Sequence, residues 1–312
     1  MRAAGISALL HLLATVLLLV AANVALPNCT SRCGNISIPY PFGVSAECHR
    51  EGFKLDCYEK YHPPKLFMSS SRVEVLEISA QDNTMYIDSG ILTLAGDRGL
   101  DGYFHMNWSV SLDHSLYRVL PDKNEVVILG CGVDVVVEWH PPDGGELAGT
   151  SCFLDCIPGQ PVIGTDGTCS GTSCCRTDNA VFDSNMFLIK YTVEKEKWPV
   201  NSSLALVERK WWSEKNAMVL KEAVLSDTSL GDSSGILHTL PGAPIRTGVS
   251  WVFSSLSCAE ASNSSDFGCL SDNSYCLDST TGGYRCQCWH GYEGNPYEQH
   301  GCQGKLPDSL YN

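Results

Sequence analysis

The chain predicts a mainly β, disulfide-rich fold: two small β domains followed by one short, cysteine-stapled module. Three observations carry this. Sixteen of the 312 residues are cysteine, an even count too high for a reduced cytosol, which argues for a disulfide framework in an oxidising compartment. Short Val- and Ile-rich stretches alternate with turn residues. Hydrophobic residues make up 44% and charged residues 18%, enough for folded cores in two or three small units. The net charge of −14 argues against nucleic-acid binding.

The amino terminus sets the compartment. Arg2 precedes an apolar run from Ile6 to Val20, and small residues follow, with Ala22 and Ala25 at cleavage positions. Residues 1–25 are therefore expected to be a secretory signal peptide; the run is marginal against the roughly 20 residues a bilayer crossing needs. No second run of that length follows, and the tail 303–312 has no hydrophobic segment. The mature chain is expected to be soluble, secreted and without a membrane span.

The first domain is expected over 29–142. Cys29, Cys33, Cys48 and Cys57 surround Ile38-Pro39-Tyr40-Pro41-Phe42-Gly43. Each proline fixes its φ and disfavours helix at the residue before it, which predicts a stiff extended ribbon ending in a glycine turn. Phe53 and Leu55 alternate with polar residues as in a half-buried strand. Further strands are expected at 72–78, 84–89, 91–94, 125–129 and 133–139, and Pro141-Pro-Asp-Gly-Gly145 marks a boundary.

The second domain is expected over 143–257. It holds Cys152, Cys156, Cys169, Cys174 and Cys175. Adjacent Cys174 and Cys175 should take different partners, and the odd count requires a bridge to the first domain. A strand is expected near 186–193, and 213–225 reads as a short helix or an excursion. Cys29-x3-Cys33 and Cys152-x3-Cys156 lack a His/Cys partner pair at finger spacing, so no metal site is expected. Gly231-Asp-Ser-Ser-Gly235 matches G-x-S-x-G, but no strand-to-helix elbow surrounds Ser233 and no triad partners accompany it. A flexible loop explains it better than a hydrolase, and no catalytic residue is assigned.

The third unit, 258–302, has the most specific spacing. Cys258-x10-Cys269-x6-Cys276-x9-Cys286-x-Cys288-x13-Cys302 is that of an EGF-like module, too small for a core of its own and dependent on its bridges. No acidic cluster precedes Cys258, so calcium binding is not expected there even though Asp278 stands near a ligand position.

Several strings together resemble one family. Cys-x3-Cys-Gly, IPYPFG and F-x-L-x-C at the amino end, C-x-G-x-x-C-C at 169–175, and Gly291-Tyr-Glu-Gly-Asn-Pro-Tyr297 resemble the ectodomain of plant wall-associated receptor kinases. That ectodomain comprises a galacturonan-binding domain, an associated carboxy-terminal region and an EGF-like module; transmembrane and kinase parts are not recognised in this chain. The resemblance implies the pairs Cys258–Cys276, Cys269–Cys286 and Cys288–Cys302. It leaves Cys29, Cys33, Cys48, Cys57, Cys131, Cys152, Cys156, Cys169, Cys174 and Cys175 unassigned.

The resemblance also implies an extracellular, cell-wall protein that binds pectin, that is homogalacturonan. The ligand is a polyanion and so is the chain, so binding needs a local basic patch or bridging Ca²⁺. Between Cys29 and Lys65 stand Arg32, Arg50, Lys54, Lys60 and Lys65 against Glu47, Glu51, Asp56 and Glu59. Arg can hold a uronate carboxylate bidentately and Lys adds a point charge, while Tyr40, Phe42, Tyr58 and Tyr61 offer rings for sugars. The candidate ligand set is Arg32, Arg50, Lys54, Lys60, Lys65, Tyr40 and Phe42. No cofactor is expected beyond Ca²⁺ bridging to pectin. The rival reading is a protein-interaction module whose EGF-like unit contacts a peptide or a receptor ectodomain. Sequons at Asn35, Asn107, Asn201 and Asn263 fit the secretory route; a fifth, Asn28, is crowded by Cys29.

Overall fold

The computed structural model describes residues 29–69, 73–94, 103–111, 116–120, 122–129, 133–139, 148–154, 169, 174–177, 186–194, 202–210, 236–238, 244–280 and 282–305. The expected signal peptide 1–25, Asn28, Cys131, the expected boundary at 141–145, Cys156, Asn201, residues 213–225, the Gly231–Gly235 string and residues 306–312 lie outside them. The described residues are mainly strands, with seven disulfides.

Strands are numbered in chain order. A hairpin, β1 (Arg32–Cys33) and β2 (Ile36–Ser37), opens the described chain. The six-stranded sheet runs β3 (Leu55–Tyr58), β4 (Lys65–Met68), β5 (Glu74–Ser79), β6 (Thr84–Asp88), β17 (Arg246–Trp251), β9 (Tyr117–Val119). A five-stranded sheet orders β13 (Cys174–Thr177), β10 (Asn124–Leu129), β15 (Ser202–Glu208), β7 (Ile91–Leu94) and β16 (Ile236–His238). A four-stranded sheet orders β12 (Ala148–Leu154), β11 (Val133–Trp139), β14 (Met186–Glu194) and β8 (Tyr103–Ser111). The EGF-like module adds a short helix α1 (Cys258–Ala261) and the pairs β18 (Ser274–Asp278) with β19 (Tyr284–Cys288) and β20 (Tyr292–Gly294) with β21 (Cys302–Gly304).

The sheets do not part at residue 142. β10, from the expected first domain, pairs with β13 and β15 from the second, and β8 and β11 pair with β14. β17 returns across more than a hundred residues to pair with β6 and β9. Strand pairing thus joins residues from both sides of the expected boundary. Val126, Val127, Ile128 and Leu129 are all buried, so both faces of β10 are covered and its apolar pattern need not alternate.

The amino-terminal ribbon is corrected. Tyr40–Pro41 is cis and the Phe42 amide donates to the Pro39 carbonyl at 2.9 Å, so Pro39–Phe42 is a turn with cis-proline at its third position. Gly43 is required by space: a Cβ there would lie 2.2 Å from the Cys48 carbonyl oxygen.

The turn delivers Phe42 into an aromatic core. Its ring meets Trp251 edge-on at 4.9 Å and Phe53 at 5.2 Å, arrangements the ring quadrupole favours. The same core continues through Phe253 into Tyr284, Cys286 and Tyr297 of the EGF-like module. Phe253 stacks on Tyr297 at 5.1 Å. The module, unable to enclose a core alone, thus finishes the core of the six-stranded sheet.

All three implied EGF pairs form, Cys258–Cys276, Cys269–Cys286 and Cys288–Cys302. Outside the module Cys29 joins Cys48 and Cys33 joins Cys57. Cys175 joins Cys152 while Cys174 joins Cys169, so the adjacent cysteines do take separate partners. Ser257 caps α1 reciprocally with Glu260, and Asp278 accepts the Cys258 amide at 2.6 Å.

Candidate functional site: an aromatic and lysine platform on an edge strand

The outer face of β3 and β4 follows from strand alternation. Leu55, Leu66 and Met68 point into the core and are buried, so Lys54, Asp56, Tyr58, Lys65 and Phe67 point the other way. Register sets Asp56 opposite Phe67 and Tyr58 opposite Lys65. Lys54 and Tyr58 are exposed, so this face borders open solvent.

The connection between the two strands folds back on that face. Tyr58 meets Phe67 edge-on at 5.3 Å and Tyr61 meets it at 6.1 Å. Tyr58 and Tyr61 remain 38% and 37% exposed. Lys60 Nζ lies 5.4 Å from the Tyr58 ring centre and 5.1 Å from that of Tyr61, and Lys65 Nζ lies 5.5 Å from Tyr61. Lys65 is also held by Glu74 across the sheet, at 2.7 Å. Among the described residues Lys60 has no carboxylate partner. The result is a platform of partly exposed rings with one uncompensated and one compensated cation. It can offer ring faces to sugar C–H groups and an ammonium to a carboxylate.

The structure separates the sequence-predicted residues into three places. Lys60 and Lys65 stand on the platform. Arg32 is exposed on the first hairpin, its guanidinium donating to the Asn35 carbonyl at 2.9 Å and to Ser37 Oγ at 3.2 Å. It lines a cavity of about 100 Å³ with Tyr40, Phe42 and Glu298. Tyr40 is half-buried there, and burial pushes its phenol up. Phe42 is 2% exposed and its ring faces are occupied by the core, which leaves no face for a sugar.

Arg50 and Lys54 stand at the seam with the EGF-like module. Arg50 donates to the Phe253 carbonyl at 3.1 Å, to both Asp266 oxygens, and lies over the Phe253 ring at 4.1 Å. Its donors are thus spent inside the molecule. Lys54 is exposed, with Asp56 at 3.8 Å. Sequence reasoning missed Phe67, which supports the platform from below, and Glu74, which compensates Lys65. Both lie on neighbouring strands, and only the β3–β4–β5 register brings them there. Asn35 and Asn263 are exposed, as glycan acceptors must be. The Asn107 side chain lies outside the described positions. Among the described residues there is no cluster of metal-ligating side chains, and no helix is long and apolar enough to cross a membrane.

Comparison with known proteins bears on the same segment. Residues 29–89 match the family model described as wall-associated receptor kinase galacturonan-binding, a span that includes the whole platform. The chain is 28% identical over 287 residues to wall-associated receptor kinase 3 of Arabidopsis thaliana, covering 88% of this chain and 36% of that protein. It is 28% identical over 284 residues to wall-associated receptor kinase 1 of the same plant, covering 88% and 34%. The chain thus spans about a third of the length of these relatives. No solved structure matches. The chain therefore carries a galacturonan-binding type of domain and resembles the wall-associated receptor kinases over most of its length.

Proposed function

We propose that this protein is a secreted cell-wall binder of pectin that takes galacturonan carboxylates on the platform of Tyr58, Lys60, Tyr61, Lys65 and Phe67. The observation that carries this reading is Lys60, an uncompensated ammonium set between two half-exposed tyrosine rings inside the family-matched segment. Rings give a sugar chain apolar contact at low ordering cost, and the ammonium gives the sign selectivity that a net charge of −14 cannot. The seven described disulfides support an oxidising, extracellular setting.

Retention on oligogalacturonide resin tests the reading, with a salt series and an EDTA arm. Elution by moderate salt is expected. Loss with EDTA would assign part of the contact to Ca²⁺ bridges. Failure to bind at low salt, with and without Ca²⁺, would overturn the reading.

A second reading, protein recognition by the EGF-like module, draws on one observation. Trp289 is 54% exposed and leans on Tyr275 at 5.0 Å, a pairing of the kind that anchors protein interfaces. Trp289→Ala that abolishes capture of a receptor ectodomain while sparing pectin retention would favour it.

A further inference from the structure

The β18–β19 hairpin has an outer face that the platform does not use. Tyr284, Cys286 and Cys288 are buried, so Arg285 and Gln287 point outward. Register sets Leu277 opposite Arg285 and Tyr275 opposite Gln287. The Tyr275 hydroxyl donates to Gln287 Oε1 at 3.0 Å. Trp289 continues the line of β19, its amide donating to the Asn273 carbonyl at 2.9 Å. Its ring, 54% exposed, lies 5.0 Å from that of Tyr275.

Arg285 has no carboxylate partner among the described residues, although the module holds six acidic side chains. Each of those is engaged elsewhere. Glu260 caps α1 and Asp266 holds Arg50. Asp272 meets His300 and Asp278 accepts the Cys258 amide. Glu293 faces Lys305 and Glu298 accepts from Asn295. In a chain of net charge −14, the face thus presents an unmatched guanidinium, which prefers a carboxylate.

The geometry selects a polypeptide occupant. The Trp289 and Tyr275 rings are inclined at 43°, so they make a notch for one side chain and not a flat ramp for a run of sugar rings. The face also lies outside residues 29–89, the galacturonan-binding match. Trp, Tyr and Arg are the side chains that dominate protein interfaces. A second copy is disfavoured, because two chains of charge −14 repel each other. The hairpin is two strands wide, about 5 Å between strands, and so matches an extended segment better than a helix about 10 Å across.

We infer that this face docks an extended, acidic segment of a partner protein. The segment sets a carboxylate side chain on Arg285 and, four residues away, a large apolar side chain in the notch of Trp289 and Tyr275. Arg285 and Trp289 are themselves four residues apart on one extended run, about 13 Å, which fixes that spacing. The inference rests on the protein-recognition reading of the EGF-like module and adds to it the partner's charge and spacing.

Selection of random displayed peptides against the whole chain tests this. Enriched peptides should share an aspartate or glutamate four positions from a large apolar residue. A selected peptide should lose affinity about tenfold with Trp289→Ala and with Arg285→Ala, while oligogalacturonide retention is unchanged. Arg285→Glu should enrich lysine or arginine at the acidic position and keep the apolar one. No enrichment, enriched peptides without the acidic position, the same preference in Arg285→Glu, or displacement of the peptide by oligogalacturonide would overturn the inference. In any of those cases, loss of receptor-ectodomain capture in Trp289→Ala would leave protein recognition standing without this partner chemistry. Capture undiminished in that variant would remove the protein-recognition reading as well.

Discussion

Arg50 and Asp266, 216 residues apart in sequence, meet in a two-pronged ion pair with both N···O distances at 2.6 Å. The pair closes over the seam where the EGF-like module completes the core of the six-stranded sheet. It has a definite acid signature. The hydrogen bonds from Arg50 hold the Asp266 carboxyl below its usual range. A depressed folded-state pKa contributes stability that is complete above the unfolded-state value, near pH 4, and is lost as pH falls through the folded value. Asp266→Asn should cost about 1 kcal/mol at neutral pH, because Asp266 is largely exposed and water screens the pair. Arg50→Ala should cost about 2 kcal/mol, since it also loses the Phe253 carbonyl bond and the ring contact. Urea midpoints from pH 6 down to pH 3 check this: both variants should show a flatter acid limb than the wild type. Equal acid slopes in all three proteins would refute the assignment.

Tyr297 anchors the same seam from inside. Its hydroxyl accepts the Cys286 amide at 3.2 Å and donates to Asn83 Oδ1, while Asn83 Nδ2 donates to the Cys286 carbonyl at 2.8 Å. Burial pushes the Tyr297 phenol up, so it stays protonated and able to donate. Tyr297→Phe keeps the stack on Phe253 and removes only the hydroxyl. It leaves a buried amide and a buried carbonyl oxygen unsatisfied, which should cost about 1–3 kcal/mol. Chemical denaturation of the whole chain reads this directly, and no change in midpoint would show that the network contributes nothing net.

Local pattern made the strands legible, because alternation at Lys54–Tyr58 is written in neighbouring residues, while the EGF pairing came as an implication of the family resemblance. What could not be read is long-range. Nothing near Arg246 says that β17 will lie between β6 and β9, and nothing near Arg50 says that Asp266 will occupy it. The aromatic set was legible as a set but not as core against surface. Phe42 and Tyr58 both read from sequence as rings that could face a sugar. The turn at Tyr40–Pro41 sends one inward, and strand parity sends the other out.

Gly43 offers a test of the motif itself. Its Cβ position lies 2.2 Å from a backbone oxygen, and that oxygen belongs to Cys48, fixed by its bridge to Cys29. Neither side can give way cheaply, so Gly43→Ala should destabilise the fold by about 1–3 kcal/mol. The readout is a lower melting temperature and a smaller yield of folded protein. Wild-type stability for this variant would mean that the turn adapts, and that glycine there serves something other than space.

The platform makes an ordered set of binding outcomes, because its cations differ in compensation. Lys60 has only rings beside it, so Lys60→Ala should weaken oligogalacturonide binding by about fivefold at low salt, roughly 1 kcal/mol for an exposed charge contact. Lys65 already serves Glu74, so Lys65→Ala should cost less. Glu74→Gln should tighten binding, since it frees Lys65 for the ligand. Tyr61→Ala should weaken binding by a similar factor to Lys60→Ala but with little dependence on salt, because ring contact is not screened. At about 1 M salt, where the screening length is near 3 Å, the lysine effects should shrink while the tyrosine effect persists. Titrations of the four variants at two salt concentrations measure this. If Lys65→Ala were as costly as Lys60→Ala, and Glu74→Gln neutral, compensation by Glu74 would not govern the site.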